Sequence, residues 1–386
     1  MTWPAYAGRH LVGRLGLLLA TATIAVLGVA APAWAHASDA PDGTDYRTGV
    51  IGPAPAVPGL TARTVESGAR LELTNRTGRT VEVLGYRGEP YLEIRPDGVY
   101  ENVHSPATYL NQTLDGDTAV PTTADPALPP RWRRIGTEPV ARWHDRRTHW
   151  TEETAPDQVR AAPDRPHRIR DWVVPLRDGT TVVELRGILD WLPPPDPAAW
   201  WAYALLGALA VAGLSLLPTR GPLLVAAPAV LVGLAGLGAV ALAVGRQLDG
   251  PTGGVGTVLG GLFGGQLWTT LSGLAALAAA GHALARRPTT AGHAPARGST
   301  ADFALAMAGT CLAVFGGVLN AGVFTRSVAP VPWPGSAART LVALVIAVGA
   351  GTAAGRALRL HAAGRAGALR SGVAARRAAA TAGSKP

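Results

Sequence analysis

The sequence predicts an extracytoplasmic all-β sandwich followed by an all-α membrane bundle of five transmembrane helices. Three observations carry this. The chain opens with a secretory leader, its first half alternates polar and apolar residues with period two, and its second half contains five long apolar stretches.

The leader is read over residues 1–35. Arg9 and Arg14 precede an apolar core from Leu15 to Ala30, and Ala33-Trp34-Ala35 supplies the small-x-small pattern of a cleavage site. A cut there makes His36 the first residue of the mature chain. A cut after Ala37, using Ala35-His36-Ala37, obeys the same rule and leaves Ser38 first. An uncleaved anchor would still place the next domain outside.

Charge divides the chain. Residues 36–198 carry 19 Lys and Arg against 24 Asp and Glu, and residues 199–386 carry 14 against 2. The overall +9 therefore belongs to the membrane half, which argues against a nucleic-acid partner. The one cysteine, Cys311, lies in an apolar stretch, so the exported domain has no disulfide and any metal there must be held by N and O ligands.

The β-domain is assigned to residues 36–192. Leu71 and Leu73 alternate with Glu72 and Thr74, Arg76-Thr77-Gly78-Arg79 makes a turn, and Val81 and Val83 alternate with Glu82. Tyr91 to Ile94 leads through Pro96-Asp97-Gly98 to Val99 and Tyr100. Trp172 to Val174 and Thr181 to Leu185 flank Arg177-Asp178-Gly179. These are read as three hairpins, and with no amphipathic helix among them they predict a sandwich. Residues 115–130, rich in Thr, Asp and Pro, are expected to form a surface loop. Asn75-Arg76-Thr77 matches an N-glycosylation pattern.

Residues 193–199, with Pro193-Pro194-Pro195, form a stiff spacer to the bundle at 200–355, and residues 356–386 form a basic cytoplasmic tail. The spans are expected at Trp200 to Leu217, Leu223 to Val244, Val258 to Leu284, Phe303 to Phe324 and about Arg339 to Gly355, each near the ~20 residues that cross a bilayer. Arg220, Arg286, Arg287, Arg297, Arg356, Arg359, Arg365, Arg370, Arg376, Arg377 and Lys385 fall on one side. Arg246, Arg326 and Arg339 fall on the other, with the β-domain. The positive-inside rule then puts the domain outside and the C-terminus in the cytoplasm. The span interiors carry no charged residue, which disfavours a transporter, and Gln266, Thr269, Thr270, Cys311 and Asn320 are read as hydrogen-bonding between helices. Gly256, Gly260 and Gly264, and Gly351 and Gly355, repeat at four-residue spacing and predict close helix packing.

The densest chemistry is Trp143-His144-Asp145-Arg146-Arg147-Thr148-His149-Trp150. His144, His149 and Asp145, joined by the α-amine and ring of His36, form a nitrogen-rich set suited to copper(II) or zinc(II). On a regular strand, residues 144 and 149 point to opposite faces, so shared ligation requires a turn or bulge, and two arginines between them oppose a cation. The other reading is structural, with Trp143 and Trp150 in the core and the charges paired. His104 and His167 are candidates to add a ligand. No G-x-S-x-G, H-E-x-x-H, P-loop or strand-linked G-x-G-x-x-G is present, so no catalytic residue is assigned and the protein is read as no enzyme.

Two segments resemble an uncharacterised membrane-protein family of high-GC Gram-positive bacteria: Gly85 to Asn111, with Tyr86-Arg87-Gly88-Glu89-Pro90 and Ser105-Pro106-Ala107-Thr108-Tyr109, and Trp143-His144-Asp145 to His149-Trp150. The resemblance spans the whole chain and implies no activity. Relatives of that kind carry histidine at the position of Arg146, and this departure weakens a metal reading. Ala35-His36-Ala37 after a leader is similar to the start of the CopC copper-resistance proteins, secreted β-sandwiches whose N-terminal histidine binds copper. Relatives that fuse such a domain to a membrane part have more spans and intramembrane histidines, both lacking here.

The function expected is therefore that of a non-enzymatic integral membrane protein presenting its sandwich to an envelope partner, with the spans as anchor and a platform for homo-oligomers. The alternative is copper binding or delivery through His36, His144 and His149.

Overall fold

The computed structural model describes residues 43–217, 222–250, 253–285 and 297–382. The leader and His36 lie outside the described residues, as do Arg220, Arg286 and Arg287. A ten-stranded β-domain is followed by a helical region with five helices long and apolar enough to cross a membrane.

The strands are β1 Tyr46–Ala54, β2 Leu60–Val65, β3 Arg70–Asn75, β4 Val81–Leu84, β5 Pro90–Arg95, β6 Gly98–Asn102, β7 Trp132–Gly136, β8 Val140–Trp143, β9 His167–Asp178 and β10 Thr181–Trp191. They form a seven-stranded antiparallel sheet, β1-β10-β9-β4-β5-β6-β7, and a three-stranded one, β2-β3-β8. Period-two burial joins the sheets. Trp172, Val174 and Leu176 of β9 and Val183, Leu185 and Leu189 of β10 meet Leu71 and Leu73 of β3 and Trp143 of β8 in one core, while Val173 and Val182 face outward. Two short helices, α1 Ala107–Leu110 and α2 Asp157–Ala161, lie in connections, and residues 111–131 contain no regular element.

Two of the three expected hairpins are present. Arg95 pairs with Gly98 across Pro96-Asp97, and Asp178 pairs with Thr181 across Gly179. The third is a correction: β3 and β4 lie in different sheets, so Arg76 to Arg79 is a corner. Asn75 makes it one. Its Oδ1 accepts from the Thr77 N–H at 3.0 Å, and its Nδ2 donates to Arg79 O and Ile94 O, both at 2.7 Å. That side chain is 3% exposed, so the glycosylation pattern is buried. The true partner of β3 is β2, with Val65 opposite Arg70.

The helical region begins where Asp196 accepts from Ala198 and Ala199 N–H and Pro197 occupies the first turn of α3, Pro197–Leu216. It continues with α4 Pro222–Leu248, α5 Val255–Phe263, α6 Leu267–Ala285, α7 Arg297–Cys311, a π-helical segment Leu312–Gly317, a 3-10 segment Val318–Phe324 and α8 Gly335–Ala382. The expected third span is corrected. The glycine pair Gly264-Gly265 breaks the helix, and the candidate span starts at Leu267. The fourth span changes winding at Leu312 and again at Val318. Carbonyls near those changes are met by side chains: Asn320 Nδ2 donates to Phe315 O and Gly316 O at 3.2 and 3.1 Å, and Thr269 Oγ1 to Phe315 O at 3.1 Å. Thr269 thus bonds between helices as expected.

The candidate spans, longer than those read from sequence, are not charge-free, which is a third correction. Arg356 Nη1 donates to Asp302 Oδ1 at 2.6 Å, and both fall inside candidate spans, Thr300–Phe324 and Gly335–Arg365. Each lies one residue past the apolar stretch read from sequence, because these helices run beyond it. Gly351 and Gly355 do bring backbones together: a Cβ on Gly351 would lie 2.4 Å from Ala208 O, and one on Gly355 2.5 Å from Ser215 Cβ. Among the described residues, Gly256 and Gly260 face nothing within 4 Å.

Candidate functional site

Strand β8 ends at Trp143, and the chain turns at once into a single 3-10 turn, Arg146–Thr148. This is the departure from strand geometry that shared use of His144 and His149 requires; both imidazoles are buried, and His144 is near enough to lower the affinity of His149 for a proton. His144 Nδ1 lies 2.8 Å from Ala69 O, while Arg70 Nε donates to His144 Nε2 at 3.0 Å. With Nε2 accepting, the proton sits on Nδ1 and donates to the carbonyl. His149 Nε2 is buried with no hydrogen-bond partner. Burial is the largest cause that pushes the His149 ring down to about 4; Asp145 and the Ala69 backbone oppose the shift, and His144 and Arg170 add to it. His149 is therefore a neutral imidazole at pH 7.

Asp145 is brought close and then committed elsewhere. It is fully buried. Its Oδ1 accepts from Arg147 N–H at 3.1 Å and Arg147 Nε at 2.8 Å, and its Oδ2 from Trp143 Nε1 at 2.9 Å and Arg147 Nη2 at 2.7 Å. That carboxylate caps the 3-10 turn and pairs with Arg147, whose guanidinium also reaches Leu84 O and lies over the Tyr86 ring. Among the described residues no three His, Cys, Asp or Glu side chains converge to hold a metal ion. His104 Nδ1 lies 2.8 Å from Pro129 O and His167 Nε2 2.7 Å from Ala162 O. Trp143 is in the core and Trp150 packs against it.

The β2–β3 turn that holds His144 through Ala69 and Arg70 also touches the helical region, which sequence reasoning missed. Glu66 N–H donates to Asp249 O at 2.8 Å and Ser67 N–H to Asp249 Oδ2 at 2.7 Å. Arg63 Nη2 donates to Gly250 O at 2.9 Å and Arg63 Nε to Glu72 at 2.8 Å. A second contact lies at the start of β1. Asp45, 5% exposed, accepts from Arg326 Nη1 at 2.8 Å and Ser327 N–H at 2.9 Å, and Thr44 and Val328 form a two-way backbone bridge. Ser327 Oγ donates to Leu192 O and Pro193 O, tying down the proline spacer. The connections after α4 and before α8 do lie against the domain, and the second carries Arg326, one of the arginines assigned to the domain's side.

Register places another feature at the opposite end. Arg70 of β3 is next to the turn, while Thr74 pairs with Val140 of β8. Beside Val140 a cleft of about 300 Å³ opens between the free edges of β7 and β8, lined by Val99, Ile135, Thr137, Glu138, Val140 and Arg142. Ile135 is 51% exposed there. Both contacts with the helices thus lie at one end of the domain and the cleft at the other. No family model matches the chain, and no curated protein or solved structure is detectably similar to it.

Proposed function

We propose that this is a non-enzymatic integral membrane protein whose extracytoplasmic β-sandwich binds an envelope partner at its membrane-distal end. The observation that carries the reading is the polarity of the domain: two hydrogen-bonded contacts hold one end on the helix ends, and an open cleft between two unpaired strand edges occupies the other. A domain held this way presents one surface in a defined orientation, which a tether alone does not do. Eleven basic residues on the side away from the domain support a cytoplasmic C-terminus. A photo-crosslinking residue in place of Ile135, in the full chain in its native membrane, is expected to give a discrete adduct that the same probe at Val182 does not. Absence of any Ile135-specific adduct refutes the reading. A reporter fused after Pro386 is expected to be active only in the cytoplasm, and one inserted near Gly116 only outside.

Copper binding through His36, His144 and His149 is a second reading, favoured by one observation: His149 Nε2 is buried and unpartnered beside a second imidazole. Against it, Arg70 occupies His144 Nε2 and Arg170 adds positive charge nearby. If a chain beginning at His36 uses both rings as ligands, His149→Ala weakens Cu(II) affinity by at least about tenfold in titration calorimetry. Equal affinity in both proteins removes this reading.

A further inference from the structure

We propose that the β2–β3 turn and Asp249 form a proton-responsive clasp that holds the β-domain on the helix ends more tightly as the medium on that side acidifies. The inference does not depend on the partner reading. The geometry is that of a built acceptor site. Glu66 and Ser67 are successive non-glycine residues with φ of 58° and 59°, a conformation that L side chains rarely adopt. It aims two adjacent N–H groups at one residue, Asp249, through its carbonyl and its carboxylate. Only Asp249 and Asp302 are acidic in residues 199–386, and Asp249 sits one residue past the candidate span Ala226–Leu248.

Two oxygens of the turn are buried without a hydrogen bond. Ser67 Oγ is buried with no hydrogen-bond partner, and Glu66 Oε2 is buried with only an ion pair to Arg70 Nε at 3.4 Å. The charged groups facing Asp249 are Arg63 on β2, Glu66 on the turn and Arg246 on α4. Burial, the largest cause, pushes the Asp249 carboxyl up to about 6; Glu66 adds to the rise, and the Ser67 N–H, Arg63 and Arg246 oppose it. The docked state therefore binds the proton more tightly than a released state in which the carboxyl is solvated and has the ordinary value of 3.8. The contribution is full below the released value and is lost as pH rises through about 6.

Hydrogen exchange of the full chain in nanodiscs tests this, because the Glu66 and Ser67 amides are themselves the clasp donors. Corrected for intrinsic rate, their protection is expected to fall about tenfold from pH 5 to pH 7. Asp249→Asn keeps an acceptor without a titrating charge and is expected to hold protection level across that range, and Asp249→Ala to lower it at every pH. Amides of Leu176 and Leu185 report whether each variant is folded. Wild-type protection that is unchanged between pH 5 and pH 7, or that falls equally in Asp249→Asn, overturns the proposal.

Discussion

Acid should destabilise the β-domain through His149, and the size of the effect follows from its burial. The ring is 9% exposed and titrates at about 4 in the fold against 6.5 in an open chain. A depressed histidine is neutral in both states above 6.5. Below that, the unfolded chain takes up a proton that the fold refuses, so stability is lost as pH falls from 6.5 towards 4. Between pH 7 and pH 5 the loss from this one group is about 2 kcal/mol, and raising the folded value by a unit still leaves about 1.5 kcal/mol. The measurement is urea unfolding of residues 43–192, followed by tryptophan fluorescence, at both pH values. Excision is justified because the core from Leu60 to Leu189 lies wholly inside this piece, and it removes Asp249 and its opposite pH dependence. His149→Gln keeps a polar neutral side chain and is expected to flatten the profile by about 2 kcal/mol. An equal loss in both proteins would show that His149 is not held neutral by burial and would refute the reasoning.

Other sites give independent checks. Glu72 is 2% exposed and takes Arg63 at 2.8 Å and Arg142 at 2.6 Å, so Glu72→Ala should cost roughly 3 kcal/mol in the same unfolding assay by leaving cations without their counter-charge. A Cβ on Gly187 would stand 2.0 Å from the Trp172 ring and 2.3 Å from Gly49 O, and because the second neighbour is backbone, Gly187→Ala should lower stability by about 2 kcal/mol or more, seen as a reduced urea midpoint. Asp45→Ala removes the acceptor for Ser327 N–H and Arg326; in the full chain, amides at 325–329 should exchange faster by an amount equivalent to about 1–3 kcal/mol, with the sandwich core unchanged.

The β-half was legible where alternation coincided with a turn dipeptide. Pro96-Asp97 and Asp178-Gly179 marked real hairpins because local chemistry alone closes them. Arg76 to Arg79 has the same kind of composition yet turns a corner between sheets, and the difference lies in Asn75 reaching Ile94 O, a contact 19 residues away that no local pattern carries. The spans were legible from apolar length, whereas their ends were not. Asp302 and Arg356 neutralise each other, so a reading that counts each charge singly stops the helix one residue before both. At His144 and His149 the pattern revealed the cluster, and parity along a strand correctly demanded a turn. The fate of Asp145 depended on Arg147 folding back onto it, which spacing does not encode.

These particulars meet at one short turn. Glu66 and Ser67 face Asp249, while Ala69 and Arg70 hold His144, which is near enough to lower the affinity of His149 for a proton. Five consecutive residues therefore link the contact with the helices to the histidine pocket, and the two titrating groups at either end respond to acid with opposite sign. Docking takes up a proton at Asp249 and is favoured as pH falls through about 6, whereas the fold excludes a proton from His149 and is weakened as pH falls below 6.5. The two windows overlap, so acid tightens the contact relative to the released domain while it lowers the stability of the domain that makes it. His149→Gln separates the two effects in the full chain. From pH 7 to pH 5 the Leu176 and Leu185 amides should lose protection in the wild type and keep it in His149→Gln, while the Glu66 and Ser67 amides should gain at least as much protection in His149→Gln as in the wild type. Equal acid loss at Leu176 and Leu185 in both proteins would refute this separation.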